Sequence, residues 1–328
     1  LTRRLLTVRR ESWPLARPFA ISRGVKTAAE VVVCTIVEGA ATGRAECVPY
    51  GRYGETPDSV EGAIFAMRDA LEQGATRADV AAMLMPGAAR NAIDCALWDL
   101  EAKLSGIPAW RSAELAAPAG AVTAYTISLD TPQAMAEAAA EAAERPLLKL
   151  KLGADAPLAC VAAVRKAAPA SRLIADANEG WSFAQLTSIA HELAALGVDL
   201  IEQPLPAIDD ARLEDWESPV LLCADESFHV AADIASLGKR YGAVNIKLDK
   251  TGGLTEALAS LHAAKNAGMK VMVGCMVSTS LAMAPAALLA GAADFVDLDG
   301  PLLLKEDRPG GMTFDGSLMH PPSPYLWG

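Results

Sequence analysis

Leu147 to Leu152 reads LLKLKL. Leucine alternates with lysine, so a strand here turns Lys149 and Lys151 to one side and the leucines to the other. Working outward from it, the same kind of unit recurs from about residue 120. A short β-branched or leucine-rich run ends in a polar residue and is followed by an alanine-rich amphipathic segment, with a spacing of roughly 25 residues. The candidate strands are Thr123 to Leu129, Leu147 to Leu152, Arg172 to Ala177, Leu200 to Gln203, Val220 to Ala224, Ala243 to Leu248, Lys270 to Met276 and Phe295 to Leu298. Helix signals fall between them, as where Asp130-Thr131-Pro132 sets a capping residue and an N1 proline ahead of Gln133 to Glu144. Eight strands alternating with helices predict an α/β protein with a modified (β/α)8-type, TIM-like barrel.

The flanks differ. Residues 1 to about 50 read as strands, with Val31 to Val37 (VVVCTIV) the clearest, and Asn91 to Lys103 reads as an amphipathic helix. The organisation this predicts is an N-terminal α+β capping domain over 1–115, a catalytic barrel over 116–305, and a Pro- and Gly-rich segment over 306–328 that returns to the cap. The uncharged stretch from Val271 to Ala293 is long enough to span a bilayer, but Gly274, Ser278 to Ser280 and Pro285 interrupt it, which predicts a buried strand followed by a helix.

A net charge of −11 repels a phosphate backbone and argues against nucleic acid as a partner. The six cysteines are scattered, form no CxxC pair and sit mostly in apolar runs, as reduced buried thiols do. LTRRLLTVRRESW at the start interrupts its apolar residues too often for a secretory core. These features predict a cytoplasmic protein with no membrane segment. A homo-oligomer is neither indicated nor excluded.

In such a barrel the active site lies at the C-terminal ends of the strands. The third, fourth and fifth strands end in Asp176, Glu202 and Asp225. One acid at a strand end is usually a helix cap. Three on adjacent strands would repel one another unless a cation joined them, and hard oxygen donors suit one Mg2+. Lys151 on the second strand and Lys247 on the sixth, diametrically opposite in a ring of eight, point inward at the two faces of a central substrate. Lys149 and the divalent ion favour the neutral, basic form of Lys151, whereas Lys239 and Lys250 read as solvated surface charges. Asp297 and Asp299, on one face of the eighth strand, are placed to receive a cation from the substrate. None of the four histidines falls at a strand end, so histidine-base and serine-triad chemistry lose support.

These motifs resemble the enolase superfamily in its muconate-lactonizing subgroup, and within it the bacterial dipeptide epimerases of the L-Ala-D/L-Glu type. The resemblance is carried by KLKLG (149–153), IADANEGW (174–181), IEQPLP (201–206), ADES (224–227), NIKLDKTGG (245–253), GCM (274–276) and DLDGP (297–301). In the first domain FAISRG (19–24), PYGRYGET (49–56) and AARNAIDCALWDLEAK (88–103) add to it. The resemblance implies that Asp176, Glu202 and Asp225 bind Mg2+ and that Lys151 and Lys247 are the acid and base of a 1,1-proton transfer through an enediolate, a mechanism the superfamily is known for. It implies further that Asp297 and Asp299 hold the dipeptide ammonium, and that Arg23 and Tyr53 lie near a C-terminal glutamate. Lys149, Cys275 and Met276 would then touch the substrate, with Asn178 and Glu226 behind the ligands. The expected activity is dipeptide epimerisation in peptidoglycan recycling. The rivals are a cycloisomerase or dehydrating lyase on the same scaffold (muconate lactonisation, o-succinylbenzoate synthesis) and a non-catalytic, metal-stabilised peptide-binding protein.

Overall fold

The computed structural model describes residues 3–328. The chain opens with an antiparallel sheet, β1 (Leu5–Ile21), β2 (Gly24–Glu38) and β3 (Ala41–Cys47), in that order. Helices α1 (Pro57–Ala66), α2 (Arg68–Glu72), α3 (Arg77–Met83), α4 (Ala88–Ser105) and α5 (Ala109–Ser112) follow. Thr56 and Thr76 each close a capping box at the start of α1 and α3, which satisfies the free amides of the first turn.

After a two-residue β4 (Ala121–Val122) come eight parallel strands side by side in sequence order: β5 (Tyr125–Ile127), β6 (Leu147–Lys151), β7 (Arg172–Asp176), β8 (Val198–Glu202), β9 (Leu221–Ala224), β10 (Ala243–Ile246), β11 (Lys270–Gly274) and β12 (Phe295–Asp297). The amide of Ala124 donates to the carbonyl of Val296 at 2.8 Å and brings the two edges of the sheet together. Helices α6 (Pro132–Glu141), α7 (Pro157–Ala167) and α8 (Phe183–Ala195) cover the first strands. A 3-10 turn and the short α9 (Ile234–Leu237) serve β8 and β9. Then come α10 (Leu248–Thr251), α11 (Leu254–Asn266), α12 (Ser280–Ala287) and α13 (Gly300–Leu303). β13 (Phe314–Asp315) and β14 (Leu318–Met319) pair with β4. The stretch from Val271 is a buried strand and then a helix. Among the described residues no helix is long and apolar enough to cross a membrane.

Seven of the eight strands are shorter than the sequence pattern suggests, because ladder pairing stops where the chain turns toward the site, while β8 starts two residues earlier than expected, at Val198. Lys247 is the first residue past β10, and Asp225 the first past β9. Their parity still holds. Ala124, Leu147, Ile174, Leu200, Cys223, Ala243, Met272 and Phe295 form one buried apolar cluster inside the barrel. Two residues further along the same faces stand Lys149, Asp176, Glu202, Asp225, Asn245 and Asp297, so the apolar layer is the floor on which the polar site is built.

The α4 helix corrects the amphipathic reading of its sequence, since it is buried on nearly every side. The antiparallel sheet covers one side and the barrel the other, and its polar residues are bonded to both. Asn91 Nδ2 donates to Asp249 Oδ1 (2.8 Å), Arg90 donates to the carbonyls of Thr251 and Gly252, and Asp94 accepts from the amide (3.0 Å) and hydroxyl of Thr255. Asp99 accepts from the amides of Arg44 and Gly328, and Trp327 Nε1 donates to the carbonyl of Cys95 (3.0 Å). A second tie joins Glu46 to the amide (2.8 Å) and hydroxyl (2.6 Å) of Thr279, in the loop after β11.

Candidate active site

A cavity of about 330 Å3 opens over the C-terminal ends of the strands. Lys149, Lys151, Asp225 and Lys247 lie at its base. Asp297 and Asp299 form one side, with Thr126 and Cys275, and Arg23, Lys26, Tyr50 and Arg52 close the other from the N-terminal domain. Met276, Asn178 and Glu226 also line it, whereas Asp176 and Glu202 lie beneath its surface, wholly buried. Tyr53 is not part of the wall. It stands behind, with its ring edge-on to Tyr50 (5.5 Å) and to His229 (4.8 Å), and Tyr50 holds the position expected of it.

Each carboxylate on the strand ends meets a lysine. Lys151 Nζ donates to Asp176 Oδ2 at 2.6 Å, and Lys247 Nζ to Asp225 Oδ2 at 2.6 Å. Lys149 Nζ reaches Glu202 Oε2 (2.6 Å), Asp297 Oδ2 (2.7 Å) and Asp176 Oδ2 (3.2 Å). Asn245 Nδ2 donates to Glu202 Oε1 at 2.8 Å. Gly274 is required beside it, because a Cβ there would fall 2.5 Å from Asn245 Oδ1.

Burial works against ionisation of all three acids, and the lysines decide the outcome at each. Lys151 and Lys149 overcome it at Asp176 and hold that carboxyl down to about 2. Lys247 and Lys250 overcome it at Asp225, which lies well below the usual range. Glu202 goes the other way, pushed up to about 7 by burial and by the charge of Asp176. The ammonium groups pay the same desolvation cost, yet Asp297 and Glu202 hold Lys149, and Asp225 holds Lys247, well above the usual lysine range. Lys247 is thus an inward lysine held by pairing, its carboxylate partner outweighing burial.

Lys250 overturns its reading as a surface charge. It is 1 % exposed, and Nζ donates to Asp225 Oδ1 (2.6 Å), to the Asn245 carbonyl (3.0 Å) and to the Asp225 carbonyl. The chain turns into α10 directly after Lys247, and one helical turn brings residue 250 back beneath the strand ends. The i, i+3 spacing of Lys247 and Lys250 is the signal the sequence carries, masked because Ala243 to Leu248 reads as a strand. Lys239, on the other hand, is exposed, with 69 % of its side-chain surface open.

Arg23 is fixed by Glu226 Oε1 (2.6 Å), the Asn178 carbonyl (2.7 Å) and the Tyr50 hydroxyl (2.9 Å). Arg52 grips Glu179 with two bonds, at 2.6 and 2.7 Å. Across the cavity, Asp299 Oδ2 accepts from the Thr126 amide at 2.7 Å, and burial and the charge of Asp297 raise its carboxyl to about 7. Asp297 Oδ1 is buried without a hydrogen-bond partner.

Among the described residues no group of three or more acidic, imidazole or thiol side chains is already drawn together as a metal cage. The acids are turned onto ammonium groups instead. Lys149 shows what they can hold, since one cation there contacts Asp176 and Glu202 together. Hard oxygen donors on adjacent strands, with Glu202 raised by its acidic neighbour, suit a divalent ion of the Mg2+ type.

A parallel barrel with a cap over its strand ends, opposed lysines and buried acids between them, defines an enolase-type α/β-barrel protein. The chain belongs to the mandelate racemase / muconate lactonizing enzyme family of the enolase superfamily. Residues 3–111 match the family's N-terminal domain, and residues 133–322 match the enolase C-terminal domain-like family. It is 43% identical over 319 residues to an L-Ala-D/L-Glu epimerase of Escherichia coli (strain K12), covering 97% of this chain and 99% of that one. It is 45% identical over 304 residues to an N-acetyl-D-glutamate racemase of Pseudoalteromonas sp, covering 91% and 95%. An Agrobacterium tumefaciens enolase family member with homology to dipeptide epimerases, crystallised with sodium and L-Ala-L-Glu, superposes with a TM-score of 0.97 at 53% identity over 99% and 100% of the two chains. A dipeptide epimerase from Enterococcus faecalis, complexed with Mg and L-Leu-L-Tyr, superposes at 0.91 with 27% identity over 98% and 97%.

Proposed function

We propose that this protein is a Mg2+-dependent dipeptide epimerase of the L-Ala-D/L-Glu type, an isomerase that inverts the α-carbon next to the terminal carboxylate. The observation that carries this reading is that Lys151 and Lys247 enter one cavity from β6 and from the end of β10, four places apart in a sheet of eight. Asp176, Glu202 and Asp225 would hold the metal, which when bound supplies positive charge to the substrate carboxylate and so acidifies the adjacent C–H. One lysine removes the α-proton from one face, and the other returns a proton to the opposite face of the planar enediolate. Asp225, which accepts from Lys247 Nζ at 2.6 Å, positions that lysine at the cavity base. Asp297 Oδ1, buried and free, accepts from the substrate ammonium, and Asp299 loses its proton more readily once that cation arrives. Arg23 and Tyr50 frame the far end. Asn178 and Glu226 stand behind Arg23, and Cys275 and Met276 pack the middle.

A second reading has its own support. With its carboxyl raised to about 7, Asp299 can stay protonated and donate to a neutral acyl carbonyl, as an N-acylated glutamate would require, and the Pseudoalteromonas relative is named for such a substrate. The two readings separate on one experiment. Purified protein with Mg2+ is offered L-Ala-L-Glu, L-Ala-D-Glu and N-acetyl-D-glutamate in deuterated water, and products are resolved by chiral chromatography. Inversion with deuterium at Cα of the dipeptide supports the first. Turnover of the acylated amino acid alone supports the second, and turnover of neither removes both.

The division into a cap (1–115), a barrel (116–305) and a returning segment (306–328) belongs to the same proposal. So do a cytoplasmic location, to which the buried free cysteines are suited, and a role in recycling cell-wall dipeptides.

A further inference from the structure

Behind the cavity wall, the ends of β8 and β9 are joined through one side chain. Gln203 follows Glu202 directly and is wholly buried. Its backbone has a φ of +34°, a conformation that a residue with a side chain keeps only where its surroundings hold it. The Gln203 amide donates to the Cys223 carbonyl at 2.9 Å. Its side-chain Oε1 accepts from the amides of Asp225 (2.9 Å) and Ser227 (3.1 Å). On the other end, Nε2 donates to the Leu205 carbonyl (2.9 Å), to Ser227 Oγ (2.8 Å) and to the Tyr241 hydroxyl (3.1 Å).

The direction of these bonds is imposed from outside. Asp210, paired with Arg240, takes the protons of both hydroxyls on one oxygen, Oδ2, from Ser227 at 2.6 Å and from Tyr241 at 3.0 Å. A hydroxyl has a single proton, so each then offers Gln203 only lone pairs, as the Leu205 carbonyl does. Nε2 must therefore be the end that meets them, and Oε1 is left for the Asp225 amide.

We propose that Gln203 is a positioning residue for the metal site, fixing the spacing of the Glu202 and Asp225 carboxylates, and that Asp210 sets the orientation in which it does so. Gln203 acts on Glu202 through the peptide bond they share and on Asp225 through its amide. The inference rests on the reading of these two acids as Mg2+ ligands and does not require that the reaction be epimerisation.

The test is calorimetric titration of Mg2+, without substrate, into wild type, Gln203→Leu, Asp210→Asn and Arg240→Gln, with the Tm of each taken in chelator. Partners that orient metal ligands are worth roughly 10- to 100-fold in metal affinity. Gln203→Leu should raise the Mg2+ Kd by about that factor. Asp210→Asn keeps the shape but can donate to the two hydroxyls and so free the Gln203 amide to turn, and it should raise the Kd as well. Arg240→Gln breaks the ion pair without changing what the hydroxyls meet, and should leave the Kd as it is. Should Gln203→Leu fail to fold, Ser227→Ala removes one acceptor of Nε2 and should raise the Kd by roughly 2- to 10-fold, the worth of one neutral hydrogen bond. A lowered Tm with an unchanged Kd in Gln203→Leu, or an unchanged Kd in Ser227→Ala, makes this a packing contact and overturns the proposal. Equal rises in Asp210→Asn and Arg240→Gln overturn the orienting role of Asp210. If wild type binds Mg2+ but inverts no dipeptide, while Gln203→Leu binds more weakly, the epimerase reading falls and the assignment of Gln203 stands. No binding of Mg2+ by wild type overturns both.

Discussion

Lys250 Nζ and Asp225 Oδ1 are 2.6 Å apart, both buried, on the side of Asp225 away from its contact with Lys247. Asp225 is thus held between two ammonium groups, one facing the cavity and one beneath it. Replacing Lys250 by methionine keeps the bulk but leaves the carboxylate with half its compensation, and loss of a buried partner costs about 3 to 5 kcal/mol. Urea unfolding of Lys250→Met should show a loss of that order, and Mg2+ titrated calorimetrically should bind with altered affinity. A variant as stable as wild type would mean that Lys250 only fills space.

Inversion needs both faces. Lys151→Ala and Lys247→Ala should each stop epimerisation of L-Ala-L-Glu, with a fall of about 100-fold or more for loss of one acid–base group. Either variant should still exchange the α-proton of the epimer that presents it to the surviving lysine. Proton NMR in deuterated water reads both quantities, and wild-type inversion in either variant removes that lysine from the reaction.

Chelation should separate activity from folding. Every acid of the proposed metal site contacts an ammonium, so removal of the ion leaves no bare buried charge. With excess chelator the circular dichroism spectrum should persist while turnover stops. Mg2+ at about 100 times its Kd should stabilise the fold by about 2.7 kcal/mol, visible as a rise in Tm. Unfolding on chelation would contradict the lysine pairing.

Asp249 and Asp94 bear on pH dependence, because burial raises their carboxyls to about 7 and about 6. A folded-state value above the unfolded one means that the folded protein binds more protons between them. The stability is full below about pH 4 and is lost as pH rises through about 7. Asn can make the bonds that Asp249 makes to the Val48 amide and Asn91 without carrying charge. Relative to wild type, Asp249→Asn should therefore gain stability as pH rises from 5 to 8, by on the order of 2 kcal/mol. Parallel Tm profiles for the two proteins would refute this.

The barrel was legible because its strands repeat one grammar. An apolar residue at the floor is followed two places on by a charged one, as in Leu147 and Lys149 or Leu200 and Glu202, and parity survives even where a strand ends early, as at Lys247. What the sequence could not convey was contact between distant segments. Lys250 escapes the pattern because parity fails once the chain coils into α10, and Tyr50 carries no signal of its own because a loop has no periodicity. The burial of α4 was hidden for a related reason. Asp94 and Asp99 look like a solvated face until their partners, Thr255 and the amides of Arg44 and Gly328, are supplied by three other parts of the chain.

The α4 helix limits how such a protein can be recombined. Through Asn91, Arg90 and Asp94 it grips residues 249 to 255, the segment that immediately follows Lys247 and contains Lys250. Grafting a relative's cap onto this barrel to import its substrate preference would exchange a support of the reaction machinery along with the recognition loops. The β1–β2 turn can be transplanted more cheaply, because it reaches the cavity without bearing on that support, whereas the loop at Tyr50 starts beside Val48, whose amide donates to Asp249 at 3.0 Å.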